Sequence, residues 1–515
     1  MQRRRVGDPG MTTDADVPAS GNERSGLFTE ENRKWWTLAA VALGLFMIML
    51  DNTVVNVALP SISRDLGIGI SELEWVVNAY ALTFGVLMLS GGKLADLLGR
   101  RRIFIVGLVI FTVASFACGL APTAGVLIAA RTVQGVGAAL MNPATLSIIT
   151  ATFPPRERGT AIGIWAGVSA LALAIGPLVG GLLTEHVNWN WIFFINVPIG
   201  ILAVLAARIF VTETRDTSHE QRLDLPGLVA SGVGLFALTY GLIQTNHNAW
   251  TSPLILSMFA VAAVSLIAFV LLERHQRVPM LDLSLFRNPT FAGANTVMLL
   301  NGLAMFGILF FMSLFIQNIL GFSAVKTGAT FLPMTVMIVA VAPVAGRLAD
   351  RFGARWLMGL GMALVALSLL LFGRLDAGAT FLSILPGLLV GGLGMAITMS
   401  PTTAAAMGSV PVDKAGVGSA VINSMRQVGG STGIAVMGAL FATKLKVGPT
   451  DPRYPGQFVA GYHLALHVAA AVALAGAVVA VLTVRQVSHA DDGKTPARSG
   501  AATENPSAAD SRPSP

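Results

Sequence analysis

The sequence predicts an all-α integral membrane protein with fourteen membrane-crossing helices, built as two six-helix halves with a helix pair inserted between them. Three observations predict it. The 515 residues are 54% hydrophobic and only 12% charged, with a mean hydropathy of +0.70, where a soluble globular protein carries about 25% charge. Fourteen apolar stretches approach the length of about 20 residues that a helix needs to cross a hydrocarbon core. An eleven-residue loop sequence also recurs in the two halves of the chain. The composition excludes a conventional soluble enzyme and a disordered chain, and the weak ten-residue alternation of a closed β-barrel is absent. A lone cysteine, Cys118, excludes an intramolecular disulfide and any multi-cysteine metal site.

Residues 1–34 are polar and read as a disordered cytoplasmic tail. The first apolar run begins near Trp35, too late and too long for a cleavable signal peptide. Spans 1–6 occupy about 37–59, 75–92, 103–121, 124–149, 160–184 and 191–211, inside a first half over 35–211. Spans 7 and 8, about 225–244 and 253–272, form the inserted pair within 212–289. Spans 9–14, about 291–317, 329–348, 356–372, 381–401, 417–442 and 463–484, make a second half over 290–485. Residues 486–515 read as a second disordered tail. Gly and Pro inside spans are tolerated, because neighbouring helices satisfy the freed backbone groups.

Charge sets the orientation. Of 34 Lys and Arg residues, 26 fall in the tails and even-numbered loops and six in the odd-numbered loops, while Arg131 and Arg426 lie inside spans. The positive-inside rule then places both tails in the cytoplasm of a cell-membrane protein. The net charge of +7 is the cytoplasmic excess of Lys and Arg and calls for no nucleic-acid partner. The repeat is GKLADLLGRRR at 92–102 after span 2, and GRLADRFGARW at 346–356 after span 10, with six of eleven positions identical. It pairs span 1 with span 9 and leaves spans 7 and 8 as the insertion.

The first copy resembles the loop signature G-x-L-A-D-x-x-G-R-[KR] of the major facilitator superfamily, carried by Gly92, Leu94, Ala95, Asp96, Gly99, Arg100 and Arg101. With LDNTVVNVALP (50–60), RTVQGVGAA (131–139), AIGPLVGG (174–181) and WIFFINVPIG (191–200), the chain resembles the fourteen-helix drug:proton antiporters of the EmrB/QacA type over about 37–484. Two positions depart from that pattern: Leu97 and Asn190 each stand where the family usually has Arg. The first touches one ionic contact of the cytoplasmic gate, and the second an outer loop.

Ionisable residues inside a span are costly and usually functional. Asp51 and Arg131 sit roughly 12 and 10 Å from the outer boundary at 1.5 Å per residue, so they match in depth. The resemblance implies that spans 1 and 4 adjoin and that the acid and the Arg take part in proton coupling. Arg131 would favour the carboxylate while burial would oppose it, and Gln134, one turn on, would orient either side chain. A static ion pair that fixes helix packing is the competing reading. Arg426 is the one embedded charge expected in the second half, as a cargo contact or as a scaffold group. With no second embedded acid expected, divalent cations should be handled less well than monovalent or neutral molecules.

Adaptable apolar walls suit a cavity of broad specificity. Candidates are Met298, Met305, Phe306, Phe310, Met312, Met395 and Met399, with Asn52, Asn56 and Asn301 adding hydrogen bonds; general helix packing competes for each. Gly163, Gly167, Gly176, Gly180 and Gly181, with Pro177, let span 5 approach its neighbours closely. In the family this stretch marks antiporters and seals the interface between halves. At the cytoplasmic gate, Gly92 and Gly99 permit a tight turn, Asp96 caps a helix or pairs with Arg100 or Arg101, and Asp350 does likewise in the second half. Breaking the Asp96 contact is expected to accompany inward opening. His463 and His467 lack an accompanying acid or Cys, so no metal is expected, and without a P-loop no ATP hydrolysis or cofactor is expected.

The sequence is therefore read as a proton-driven exporter of hydrophobic, often cationic, small molecules, working by alternating access, with a monomer as the simplest assembly. Export of an endogenous metabolite or lipid on the same fold is the alternative. A membrane-embedded enzyme lacks its expected acid or His cluster.

Overall fold

The computed structural model describes residues 32–215, 224–245, 247–276, 279, 281–411 and 415–485. The expected tail 486–515 lies outside the described residues, and so does the expected tail 1–34 apart from residues 32–34, of which Arg33 and Lys34 already belong to the first helix. The first half comprises α1 (Arg33–Leu66), α2 (Ile70–Leu98), α3 (Arg100–Gly119), α4 (Ala124–Thr152), α5 (Pro155–His186) and a broken sixth span, α6 (Trp191–Phe194) with α7 (Asn196–Phe210). The insertion is α8 (Leu225–Gln244) and α9 (Pro253–His275). The second half comprises α10 (Pro289–Asn318), α11 (Ala324–Thr330) continuing as α12 (Leu332–Phe352), α13 (Ala354–Phe372), α14 (Phe381–Gly408), α15 (Ala415–Ala442) and α16 (Tyr454–Thr483). Thirteen segments among the described residues are long and apolar enough to cross a membrane, and α15, a helix of 28 residues, makes the fourteenth span.

The helices end where local chemistry dictates. Gly67 closes α1 in the left-handed region (φ 64°), and the Glu72 carboxylate accepts from Gly69 N–H to open α2. Thr123, Asp224, Ser252, Asn288 and Ser323 each cap the helix that follows with a side-chain oxygen. The repeat is visible in the backbone. Gly99 (φ 111°) and Gly353 (φ 84°) occupy matching positions in the two copies, and each turns the chain between consecutive helices where a side chain would be strained.

The face at which α1 begins and α16 ends is the tail face, and the opposite one is the distal face. The central helices α1 and α10 are the most enclosed. Named contacts between the halves gather toward the distal side. Gln317 of α10 donates to the Val57 carbonyl of α1 at 2.8 Å, and Val325 N–H donates to Glu185 at 2.7 Å. Gly181 of α5 packs on the Ala324 carbonyl, and Gly438 of α15 packs on the Glu74 carboxylate of α2. Arg485 N–H donates to Thr290 Oγ1 and ties the tail ends of α16 and α10 within the second half.

The inserted pair docks along the seam where α2 and α15 meet. Trp75 of α2 lies 5.7 Å from Phe236 and 6.1 Å from Tyr240 of α8, ring to ring, and Leu242 and Ile243 of α8 cluster with Ala435 of α15. Most of α9 is exposed, with Leu256, Val264, Ile267 and Leu271 outermost, as expected of a lipid-facing surface.

Candidate functional site

Asp51, Arg131 and Gln134 form one fully buried cluster in the first half. Arg131 Nη1 reaches Asp51 Oδ2 at 2.5 Å and Gln134 Oε1 at 2.6 Å, while its Nε donates to the Val76 carbonyl of α2 at 3.1 Å. Gln134 Nε2 donates to Asp51 Oδ1 at 2.9 Å and to Ser115 Oγ of α3 at 2.7 Å. Asn196 of α7 donates to the same Ser115 hydroxyl at 3.3 Å. The Tyr80 ring lies 4.3 Å from the guanidinium carbon, and Phe193 lies 5.7 Å from it on another side. Both carboxylate oxygens are thus held by donors, and five spans, among them the sixth, which is broken into α6 and α7, converge on one charge pair. The matched depths read from the sequence are realised as direct contact.

Sequence reasoning missed four members of this cluster: Tyr80, Ser115, Cys118, which contacts Gln134 Oε1, and Asn196. All are neutral, and nothing in their pattern separates them from ordinary span residues. A larger omission is Glu74. It is completely buried in the second turn of α2, contrary to the expectation of no second embedded acid. The reason is the helix start: α2 begins at Ile70, so a carboxylate placed just outside the apolar window is carried into the packed bundle.

The small residues of α5 divide between two partners. A Cβ on Gly176 would strike Thr53 Oγ1 of α1, and one on Gly180 would lie 2.7 Å from the Val54 carbonyl, so these two let α5 close on α1 beside Asp51. Gly181 and the Pro177 carbonyl instead meet α11 of the other half, at Ala324 and Gly328. Gly163 and Gly167 meet nothing within 4 Å, so their expected packing role is not realised in this arrangement. Gly181→Leu is expected to hold the distal side apart and abolish export while the protein still inserts. Limited proteolysis and export assays on the same preparation check this.

At the tail face, Asp96 pairs with Arg100 at 2.9 Å, as one of the two expected partners. The pair joins the last turn of α2 to the first residue of α3, and it is made together with the distal contacts. A Cβ on Gly92 would lie 3.4 Å from Pro143 of α4. Gly99 lies against Glu213, whose carboxylate accepts from Arg101 N–H (3.1 Å) and Arg102 N–H (3.2 Å). Arg101 also donates to the Arg208 carbonyl at 2.6 Å. Glu213, which caps the start of α3 from the loop after α7, carried no sequence signal. Glu213→Ala is expected to cost about 1 kcal/mol of stability, as the loss of a helix cap does; thermal unfolding in detergent checks it. Asp350 lies in α12, but its side chain lies outside the described residues.

The cavity candidates are placed as follows. Asn52 and Asn56 face along α1, and each donates its amide to a carbonyl one turn back, at 2.9 and 3.0 Å. Asn301 of α10 is fully buried, with both amide atoms lacking a hydrogen-bond partner among the described residues. Its neighbour Gly302 packs on the Arg426 carbonyl of α15, and Arg426 Nε likewise has no hydrogen-bond partner among the described residues. Phe306 packs over Gly430, and Met298 and Met305 are buried along the same helix. Phe310 is fully buried, and Met312 accepts from the Tyr462 hydroxyl, which places both in the packing of the second half.

The Major Facilitator Superfamily family model matches residues 41–434 of the chain. The chain belongs to that superfamily. A Tetracenomycin C resistance and export protein from Streptomyces glaucescens is 34% identical, covering 92% of this chain and 96% of that protein. A Puromycin resistance protein, pur8, from Streptomyces alboniger is 36% identical over 94% and 97%, and the Multidrug resistance protein Stp of Mycobacterium tuberculosis (strain CDC 1551 / Oshkosh) is 39% identical over 79% and 76%. Among solved structures, a bacterial homologue of the human lysosomal transporter Spinster, inward-facing and unoccupied, superposes with a TM-score of 0.64 at 17% identity, covering 89% of this chain and 98% of that one. A peptide transporter POT in complex with sulfate gives 0.63 at 14% identity over 86% and 93%. These likenesses carry the fold, and family and fold make this chain a multi-pass transporter of small molecules and not an enzyme.

Proposed function

We propose that the protein is a proton-coupled antiporter of the cell membrane, with both termini in the cytoplasm, that exports hydrophobic and often cationic small molecules by alternating access. The halves 35–211 and 290–485 rock against each other so that the distal contacts part as the tail face closes, and the pair within 212–289 accompanies them. The observation that supports proton coupling is the closed cluster around Asp51. A carboxylate buried in a span is retained at a cost, and its partners Arg131 and Gln134 sit on one helix that can reorient as a unit. In this reading Asp51 alternates between a protonated form and an ionised form held by Arg131. Proton arrival releases Arg131, which then bonds its remaining partners, Gln134 and the Val76 carbonyl.

The names of the relatives, which include resistance and export, support a drug-like cargo. Asn301 and Arg426 are the groups proposed to offer hydrogen bonds to that cargo from the second half, with Asn52 and Asn56 opposite. Asn301→Ala is expected to alter the range of exported compounds while leaving proton coupling intact, as resistance profiles would show. The direct test of the function is export by the purified chain in proteoliposomes. Accumulation of a fluorescent lipophilic cation should follow an imposed pH gradient and collapse on adding a protonophore. Accumulation unaffected by the protonophore would sink the proposal.

A further inference from the structure

We propose that Glu74 is a second proton-binding site, separate from Asp51, which locks the distal gate: the carboxylate takes a proton from distal water as α2 closes on α15 and returns it to distal water when they part. The proposal rests on the alternating-access reading above but not on any role for Asp51.

The geometry carries it. Glu74 has no exposed surface and lies on the α15-facing side of α2, against Gly438, where even a methyl group would collide with the carboxylate. Further along the same face, Gly85 meets Gln427 and Val428, so residues of the two antiparallel helices oppose one another in steady register. One turn after Glu74 on that face is Asn78, also fully buried, with neither amide atom bonded among the described residues. Ser431 and Gln427 on the opposing helix are buried too, and Ser431 Oγ and Gln427 Nε2 lack partners among the described residues. The seam is polar on both sides and belongs to two different halves.

Distal solvent comes close to it. A distal crevice of about 660 Å³ is lined by Ser71 and Leu73 of α2 and by Phe441 and Ala442 of α15, within a turn of Glu74 and Gly438. Separation of the halves at this end would widen the crevice onto the carboxylate.

Among the described residues, the charged and titratable groups on the elements around Glu74 are placed as follows. On α2 itself Glu72 is committed to Gly69 N–H. On α4, Arg131 is bonded to the Val76 carbonyl on another face of α2 and is already paired with Asp51 of α1. From α8 the one titratable residue is Tyr240, beside Trp75. The one ionisable residue of α15 is Arg426, twelve positions from Gly438 and so roughly 18 Å along the helix at 1.5 Å per residue. Lys444 lies past the end of α15 and Arg64 near the end of α1, both exposed at the distal face.

The consequence follows from linkage. Taking a carboxylate out of water favours its neutral form, so closure and proton uptake accompany each other. Because the proton enters and leaves on one side, Glu74 moves none across the membrane; it makes distal acidity favour the closed form.

The test uses the full chain, with spin labels at Arg64→Cys and Lys444→Cys and the buried Cys118 left in place. Distance distributions are recorded from about pH 5 to about pH 8, a range in which buried carboxylates titrate. The expected result is a distal-open fraction that rises with pH, at a slope approaching tenfold per unit for one linked proton. In Glu74→Gln the distal side should remain closed with the slope lost, and in Asp51→Asn the slope should persist. Gly438→Ala should raise the open fraction at every pH. A pH-independent wild type, a wild-type slope in Glu74→Gln, or a slope lost in Asp51→Asn would overturn the proposal. An unchanged open fraction in Gly438→Ala would overturn the packing on which it rests. Failure of Asp51 as the coupling group would leave these outcomes unchanged, because no cargo or gradient is used.

Discussion

Arg131→Ala is expected to abolish export and to cost about 3–5 kcal/mol of stability, the range for removing one partner of a buried ion pair. Asp51 would be left fully buried, with Gln134 Nε2 as its remaining donor. Val76 would lose the guanidinium that ties α4 to α2, and Tyr80 the cation against its ring. Arg131→Lys separates charge from geometry. A lysine keeps the positive charge, but its single ammonium replaces a planar fork that reaches Asp51, Gln134 and the Val76 carbonyl together. Lysine should therefore restore most of the stability and little of the transport. Thermal unfolding in detergent and export in proteoliposomes, measured on both variants, check the two halves of this statement. Full activity in Arg131→Lys would mean that charge alone suffices.

Asp51→Asn carries the second large effect, and it is specific. Asparagine keeps the size of the side chain and an oxygen for Arg131 to donate to, so the cluster should hold together. It has no proton to exchange. Accumulation of cargo against its gradient should fall to the level of empty liposomes, while exchange of labelled for unlabelled cargo, which needs no net proton movement, should continue. If the pair served only to fix packing, both modes would decline together with stability.

Much of this was legible because charge is rare in the chain. Three charged side chains stood well inside apolar windows, and helical rise alone put two of them at one depth. The loop repeat was legible for a similar reason: its glycines answer a backbone requirement, since Gly99 and Gly353 both adopt positive φ. What stayed hidden depends on which face of a helix meets which neighbour. Glu74 escaped because hydropathy windows end where charge begins, whereas the helix runs past them. Gly176 and Gly163 look alike in sequence, yet one touches α1 and the other faces open space. The docking of α8 on the α2–α15 seam leaves no periodic trace, because a helix in a bilayer is apolar all round. Glu213 acts on amides more than a hundred positions earlier, a pairing that local patterns do not carry.

The central claim is that Asp51 couples proton entry to cargo exit, and simultaneous flux measurement tests it most directly. Proteoliposomes loaded with a pH-sensitive dye would be given a gradient of a fluorescent lipophilic cation, with no imposed pH gradient. Wild-type protein should move protons opposite to the cation in fixed proportion, and Asp51→Asn should let the cation exchange without moving protons. Proton flux of wild-type proportion in Asp51→Asn would contradict the account.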